Sequence, residues 1–395
     1  MYSVSPIVLI NVLDPEKHTA EISTPETVQL SDGSGTISKE GILPKSLSVK
    51  SGEGDSEVTY ANGKDYALSF DDSGFLTISR MEGGTLGESV KEVNVTYKKL
   101  DPSKVTEADI LAGIKKISQV YPLFNLFPGL LLAPKWSSSQ NVYQALSNMT
   151  ESLNGLFKCS ELADLDISAA PTSDKAPDAK AQNKMTNKNS ILLWPKVKKD
   201  GAVYDYSAIA AAHIADTDAN NDGVPYVSPS NKALKIDAIC DADGNEIIID
   251  FLAANALNGQ GICTALNMNG WRFWGNRTAA YPDNTDIKDA FIPVRRMFNW
   301  WGNTFLLTYW KKCDDPMNKR LTESIVDSEN IRAGGFKAKY QIAGAEIEYN
   351  AADNPTDDLI NGKIKFRQHF TPYPPAEAIT NVLEFDANAF KSAIS

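Results

Sequence analysis

Residue types that could do chemistry are sparse in this 395-residue chain, and none falls at a spacing that completes a known site. Asp218-Ala219-Asn220-Asn221-Asp222-Gly223 matches the first half of a calcium loop, with oxygen side chains at alternate positions and then a glycine. The position that should carry a bidentate glutamate is Pro229, so the segment reads as an acidic turn rather than a cation site. Gly259-Gln260-Gly261 opens like a dinucleotide fingerprint, but Thr264 stands where the last glycine belongs and a strand follows instead of a helix. There is no G-x-x-x-x-G-K-[ST] phosphate loop and no nucleophile elbow, and His18, His213 and His369 stand alone. Cys159, Cys240, Cys263 and Cys313 are far apart, which fits reduced thiols rather than a metal knuckle or a disulfide framework. These residues predict no catalytic group, no metal and no cofactor.

The segment richest in specific side chains is Gly270-Trp271-Arg272-Phe273-Trp274-Gly275-Asn276-Arg277-Thr278. Two tryptophans, a phenylalanine and two arginines between glycines suit packing and assembly. On an alternating strand one arginine then lies beside buried aromatics, where it needs a carboxylate or carbonyl partner from this chain or another. Trp194, ahead of Pro195, belongs with this packing motif.

The elements that must position these residues follow from length and pattern. A chain of this size exceeds one ordinary core. Its 42% hydrophobic content is enough for several interiors, while a formal net charge of -11 disfavours nonspecific attraction to nucleic acid or anionic lipid. No segment is apolar enough to span a bilayer, and no secretory leader is legible. Pro6 to Leu13 is apolar and β-branched, the pattern of a strand buried on both faces; lying so near Met1, it predicts an α/β domain whose first portion is missing. From residue 27 to 103, short alternating runs separated by Asn62-Gly63, Asp71-Asp72-Ser73-Gly74 and Gly83-Gly84 predict an inserted antiparallel β domain. Thr106 and Asp109 read as a capping box for the helix after it.

Further on, the pattern is β/α. It predicts strands at Leu126 to Ala133, near Leu156, at Asn189 to Trp194, at Ile262 to Leu266 and at Trp271 to Thr278, and helices from Ser139 to Leu153 and from Tyr206 to Ala215. Together, 1–26 and 104–283 form an open α/β layer domain. Residues 284–395 predict an α+β domain with two long helices, the first apolar nearly all round from Pro293 to Tyr309, the second starting at Asp315-Pro316 and stopping before Gly334-Gly335. Lys363 to Phe370 reads as a strand with one positive face, made by Lys363, Lys365, Arg367 and His369. Pro372, Pro374 and Pro375 then take the chain out of the sheet. Beyond them Ile379, Val382, Leu383 and Phe385 predict a terminal strand, part of an arm over about 376–395 suited to another chain's sheet.

The opening Pro6 to Pro15, Trp194-Pro195-Lys196-Val197, Ser228-Pro229-Ser230-Asn231-Lys232 and the Gly270 to Thr278 block, in this order, resemble the tail sheath proteins of contractile bacteriophages and phage-tail-like bacteriocins. The resemblance implies a nonenzymatic subunit that polymerises with six-fold helical symmetry around a tail tube and contracts to drive the tube through a bacterial envelope. It also implies partners in the tube, baseplate and tail terminator proteins, location in a virion tail or tail-like particle after assembly in the host cytoplasm, and terminal arms that add strands to neighbours. Neither nucleic acid nor membrane insertion is implied. On this reading Ile379, Val382, Leu383 and Phe385 are intersubunit strand residues, and Lys363, Lys365 and Arg367 face the tube or a neighbour. A tail-associated carbohydrate-binding adhesin would instead expose an aromatic platform at Tyr60, Tyr66 or Tyr97; an α/β enzyme would show convergent carboxylates in a deep pocket.

Overall fold

A computed structural model describes residues 6–52 and 54–395, which divide into two compact units. The first, Leu9–Lys116, is wider on both sides than the expected 27–103. Its strands are β1 (Thr19–Gln29), β2 (Ser34–Ile37), β3 (Ser48–Ser51), β4 (Val58–Tyr60), β5 (Tyr66–Phe70), β6 (Leu76–Arg80) and β7 (Glu92–Leu100), followed by helix α1 (Glu107–Lys115). They form two antiparallel sheets, ordered β1-β7-β3-β4 and β2-β6-β5. Alternation places Val93, Val95 and Tyr97 of β7 inward, against Val49, Leu76 and Ile78. Thr106 and Asp109 close the capping box that starts α1, and Asp109 also meets His18 at 3.2 Å.

The second unit holds the rest of the described chain. In order its elements are α2 (Val120–Phe124), β8 (Leu130–Leu132), α3 (Gln140–Glu151), β9 (Ser160–Asp164), α4 (Ala176–Gln182), β10 (Ser190–Leu193), β11 (Lys196–Lys199), β12 (Ala202–Tyr204) and α5 (Tyr206–Ala219). There follow β13 (Ala238–Cys240), α6 (Phe251–Asn258), β14 (Ile262–Asn267), β15 (Trp271–Trp274), α7 (Ile287–Ala290), α8 (Ile292–Tyr309), α9 (Lys319–Ala338), β16 (Gly344–Glu348), α10 (Thr356–Ile360), β17 (Arg367–Thr371) and α11 (Ala387–Ile394).

Its main sheet has the order β15-β14-β10-β9-β8, parallel except for the antiparallel edge strand β15. Strands β9 and β10 are buried at every residue, as a sheet covered on both faces requires. One side packs Leu162, Ile191, Leu193 and Phe273 against Tyr206, Ala210 and Ile214 of α5; the other packs Leu192 and Trp194 against Tyr143, Ala179 and Leu257. The first half of α8 belongs to this body: Ile292 joins the α5 side of the core, while Met297 and Trp301 meet Ala333 and Ile342 in a second cluster. The expected boundary at residue 284 is therefore not a break in packing.

Several elements differ from the sequence reading. Pro6 to Leu13 forms no strand, and Ile7, Val8 and Leu9 are exposed, because no backbone among the described residues lies alongside to pair with them. The strand expected near Leu156 lies at β9, whose Ser-Glu-Leu-Ala-Asp sequence hides a fully buried strand behind polar letters. Helix α9 starts after an Asn318 cap and runs through Gly334 and Gly335, which lie on its exposed face. Tyr60, Tyr66 and Tyr97 are all core residues of the β unit, so the platform the adhesin reading needs is absent from these positions.

Candidate functional site

The Gly270 to Thr278 block begins as edge strand β15, in register with β14 through Leu266 opposite Arg272 and Ala265 opposite Phe273. Phe273 is fully buried against Tyr206 and His213. Trp271 donates its indole N–H to the Asp237 carbonyl at 2.7 Å, and Trp274 donates to Asn255 at 3.1 Å while its ring meets Phe251 edge-on. Arg272 spends its fork on the carbonyls of Asn231 and Met268. Trp194 is completely buried and donates to the Ala170 carbonyl at 2.7 Å. Strand alternation stops at Gly275, which has φ 127°; a Cβ there would sit 2.9 Å from the Cys263 Cα.

Past that glycine, Arg277 takes the position beside aromatics that the sequence implies. Its guanidinium carbon lies 4.3 Å from the centre of the Tyr281 ring and 3.8 Å from that of Phe291. The fork makes a two-pronged contact with Glu377, Nε to Oε1 at 2.9 Å and Nη2 to Oε2. Asn258, at the end of α6, donates to the same Glu377 Oε1 at 2.9 Å. The arginine's carboxylate is thus supplied by its own chain, one hundred residues later.

The C-terminal candidates divide differently. Strand β17 begins only at Arg367, so Lys363 and Lys365 precede it in a loop whose backbone is held by Asp358 and Asn354. Arg367 is paired with Asp353, donating at 2.9 and 2.7 Å; that pairing holds the Asp353 carboxyl below its ordinary pKa. The expected uniform positive strand is therefore two exposed lysines, a paired arginine and His369, which stands opposite Glu346. No strand forms at Ile379 to Phe385. Ile379, Val382, Leu383 and Phe385 are 89%, 75%, 87% and 83% exposed, and the chain then enters α11 under an Asp386 cap. A strand needs a second backbone, and the described residues provide none there.

Polar groups that sequence reading missed tie α8 to the sheet. Buried Arg295 bonds Asp289 at 2.9 Å and Asn299, while Asn299 reaches Asn189 at 2.9 Å and Asn303 brackets Lys158. Arg296 takes both oxygens of Asp218, so the first carboxylate of the calcium-like loop serves as an ion-pair partner, and Asp222 meets Lys339 at 3.3 Å. Glu161 is buried in β9, with Oε1 accepting from Ser147 and Ser190 and Oε2 lacking a partner among the described residues. Burial pushes its pKa up to about 7, and that of nearby Asp164 up to about 6. Charged letters inside a strand read as solvent-facing; their pairing across the fold carries no local signal. Among the described residues no group of three or more His, Cys, Asp and Glu side chains is placed to hold a metal.

What this architecture is similar to follows from its relatives. No family profile matches the chain. It is 27% identical over 411 residues to the tail sheath protein of Burkholderia phage BcepMu, covering 96% of this chain and 81% of the relative. The chain is a homologue of tail sheath proteins. A prophage major tail sheath protein of Pseudomonas aeruginosa strain UCBPP-PA14 is 28% identical, over 69% of each chain. Among solved structures, the sheath complex of an extracellular contractile injection system, PVC, in the contracted state superposes with TM-score 0.58 over 70% of this chain and 75% of that one, at 17% identity. The contracted helical sheath of the anti-feeding prophage gives 0.56 over 74% and 78%, also at 17% identity. The relatives are named as tail sheath proteins, and none of them supports the adhesin reading.

Proposed function

We propose that this chain is the subunit of a contractile tail sheath, polymerising around a tail tube and shortening to push the tube through a bacterial envelope. One observation of the chain itself carries the reading most directly. Among the described residues β16 and β17 make a sheet of only two strands: the Asn330 side chain of α9 bonds the Ile347 backbone on the β16 edge, no third strand lies beside β17, and two apolar segments, Pro6 to Leu13 and Ile379 to Phe385, have no strand partner. A two-stranded sheet is marginal alone, and an extended segment from another copy extends it through main-chain hydrogen bonds. Strand exchange of this kind holds neighbours together while rigid bodies slide between two packings, so contraction draws on the free-energy difference between packings and needs no nucleotide.

In this reading Ile379, Val382, Leu383 and Phe385 are the donated strand. Exposed Lys363 and Lys365, with Arg367 beside its Asp353 partner, face the tube or a neighbouring copy. The finer fold is an open α/β layer with an inserted antiparallel β domain at the periphery and the region after residue 284 toward the tube. Further partners are the baseplate and tail terminator proteins, within a virion tail or tail-like particle assembled in the host cytoplasm.

The test is co-expression of the chain with a tail tube protein from the same source, followed by negative-stain electron microscopy. Helical sheaths on tubes, or empty polysheath, are expected. Bare tubes together with monomeric chain at high concentration would overturn the reading.

A further inference from the structure

We propose that Arg277, seated between Tyr281 and Phe291 and assisted by Asn258, is the anchor that fixes the root of the C-terminal segment at Glu377, so that this segment leaves every copy from one point. The inference rests on the sheath reading for why a fixed root matters, but the anchor itself stands on geometry. From Pro372 to Phe385 there is no ladder, and among the described residues the hydrogen bonds that hold this stretch to the body all end on Glu377. Three prolines in the first four positions stiffen the approach and donate nothing. Two residues past Glu377 the chain is almost fully exposed, beginning with Ile379.

The seat is specific. The arginine side chain is only 15% exposed and the glutamate 33%. Two rings hold the guanidinium in place and its fork meets a carboxylate with both prongs, a geometry lysine cannot reproduce although it keeps the charge. Arg277 also sits at the end of the aromatic block, past the Gly275 turn that ends β15, where an isolated bridge to Phe291 holds its backbone.

The consequence for assembly is one of reach. With Glu377 held, Ile379 is tethered by two residues, roughly 7 Å of chain; with Glu377 released, the tether runs eight residues from the end of β17, roughly 28 Å. A donated segment confined near its acceptor has a high effective concentration there, and releasing the root dilutes it by roughly tenfold or more. Arg277 and Asn258 are positioning residues in this sense, acting on the partner copy only through where the segment starts.

The experiment uses the full chain with Cys313→Ser, leaving the three buried thiols unlabelled, and spin labels at Ala256→Cys on α6 and Ile379→Cys. Pulsed dipolar spectroscopy reads the distance distribution; in parallel, the threshold concentration for sheath formation is measured on unlabelled protein. Arg277→Lys and Glu377→Gln are each expected to widen the distribution about twofold or more and to raise the threshold about tenfold, with melting of the body unchanged. Glu377→Asp, which keeps a carboxylate, is expected to recover part of both. Glu377→Gln, on the more exposed side of the pair, keeps the test valid if the arginine variants misfold. A distribution already broad in the parent, or unchanged in Glu377→Gln, overturns the anchor. A widened distribution with an unchanged threshold overturns its role in assembly and leaves the sheath reading standing. If the parent forms no sheath at all, the sheath reading falls, while the distance data still decide whether the anchor exists.

Discussion

The β unit, Leu9–Lys116, and the larger unit treat their apolar residues in opposite ways. In the β unit, Val28, Val49, Leu76, Ile78, Val93 and Val95 are inside; of the large apolar side chains left outside, Val58, Phe70 and Met81 lie far apart in the chain, and Leu9, the unit's first residue, continues the exposed run of Ile7 and Val8. The larger unit has an equally complete interior around Trp194 and Phe273, yet it leaves groups of apolar residues uncovered: Leu123 with Phe124, Ile248 with Phe251 and Leu252, and Ile379 to Phe385. Scattered exposed residues need no explanation, whereas clustered ones mark surfaces for other chains. The β unit covers most of its apolar residues by itself, whereas the larger unit leaves several groups of them uncovered.

The strongest way to break this contrast is to remove residues 379–395 and compare assembly with folding. Sheath formation by electron microscopy is expected to vanish, while circular dichroism and melting of the monomer stay unchanged, because these residues bury nothing in their own chain. A destabilised monomer would mean that the segment belongs to its own core. Trp194→Ala is the complementary cut: emptying a fully buried indole site costs about 3–5 kcal/mol and is expected to lower the melting transition of the larger unit alone, with a separate calorimetric transition for the β unit left in place. Asp218→Ala strands the guanidinium of Arg296 in a largely buried position. A loss of about 3–5 kcal/mol in denaturant unfolding is expected, and a loss far below that would show that water reaches the pair.

Smaller and opposite in sign is Glu161→Gln. Burial raises the Glu161 pKa from 4.5 to about 7, so the folded state favours the protonated form. The stability this group contributes is complete below the unfolded pKa near 4.5 and is lost as pH rises through about 7. The amide cannot ionise, so the variant is expected to be roughly 3 kcal/mol more stable than the parent at pH 8 and nearly equal to it at pH 4.5. Urea unfolding at the two pH values checks this. Least of all, Lys363→Glu with Lys365→Glu and Arg367→Glu is expected to change monomer stability by no more than about 1 kcal/mol, since among the described residues only Arg367 has a side-chain partner to lose. Its effect is expected in the yield of extended sheath on tubes, summed over many copies; a normal yield returns these residues to a solvated face.

Reading the chain alone located the elements whose signals are local. The Thr106 and Asp109 capping box, α3, α5, α8, β10 and β14 follow from periodicity, caps and β-branched runs, since each such signal lies within a few residues of the element it specifies. The aromatic block was visible for the same reason. What the tertiary structure alone decided was every matter of partnership: that Arg277 meets Glu377 rather than another chain, that Asp218 serves Arg296, and that the polar letters of β9 lie inside a sheet covered on both faces. It also decided that Pro6 to Leu13 and Ile379 to Phe385, which read as strands, have none to join among the described residues. Alternation records which residues suit a strand, but a strand exists only where a second backbone satisfies its N–H and C=O groups, and that backbone is remote in sequence or belongs to another copy.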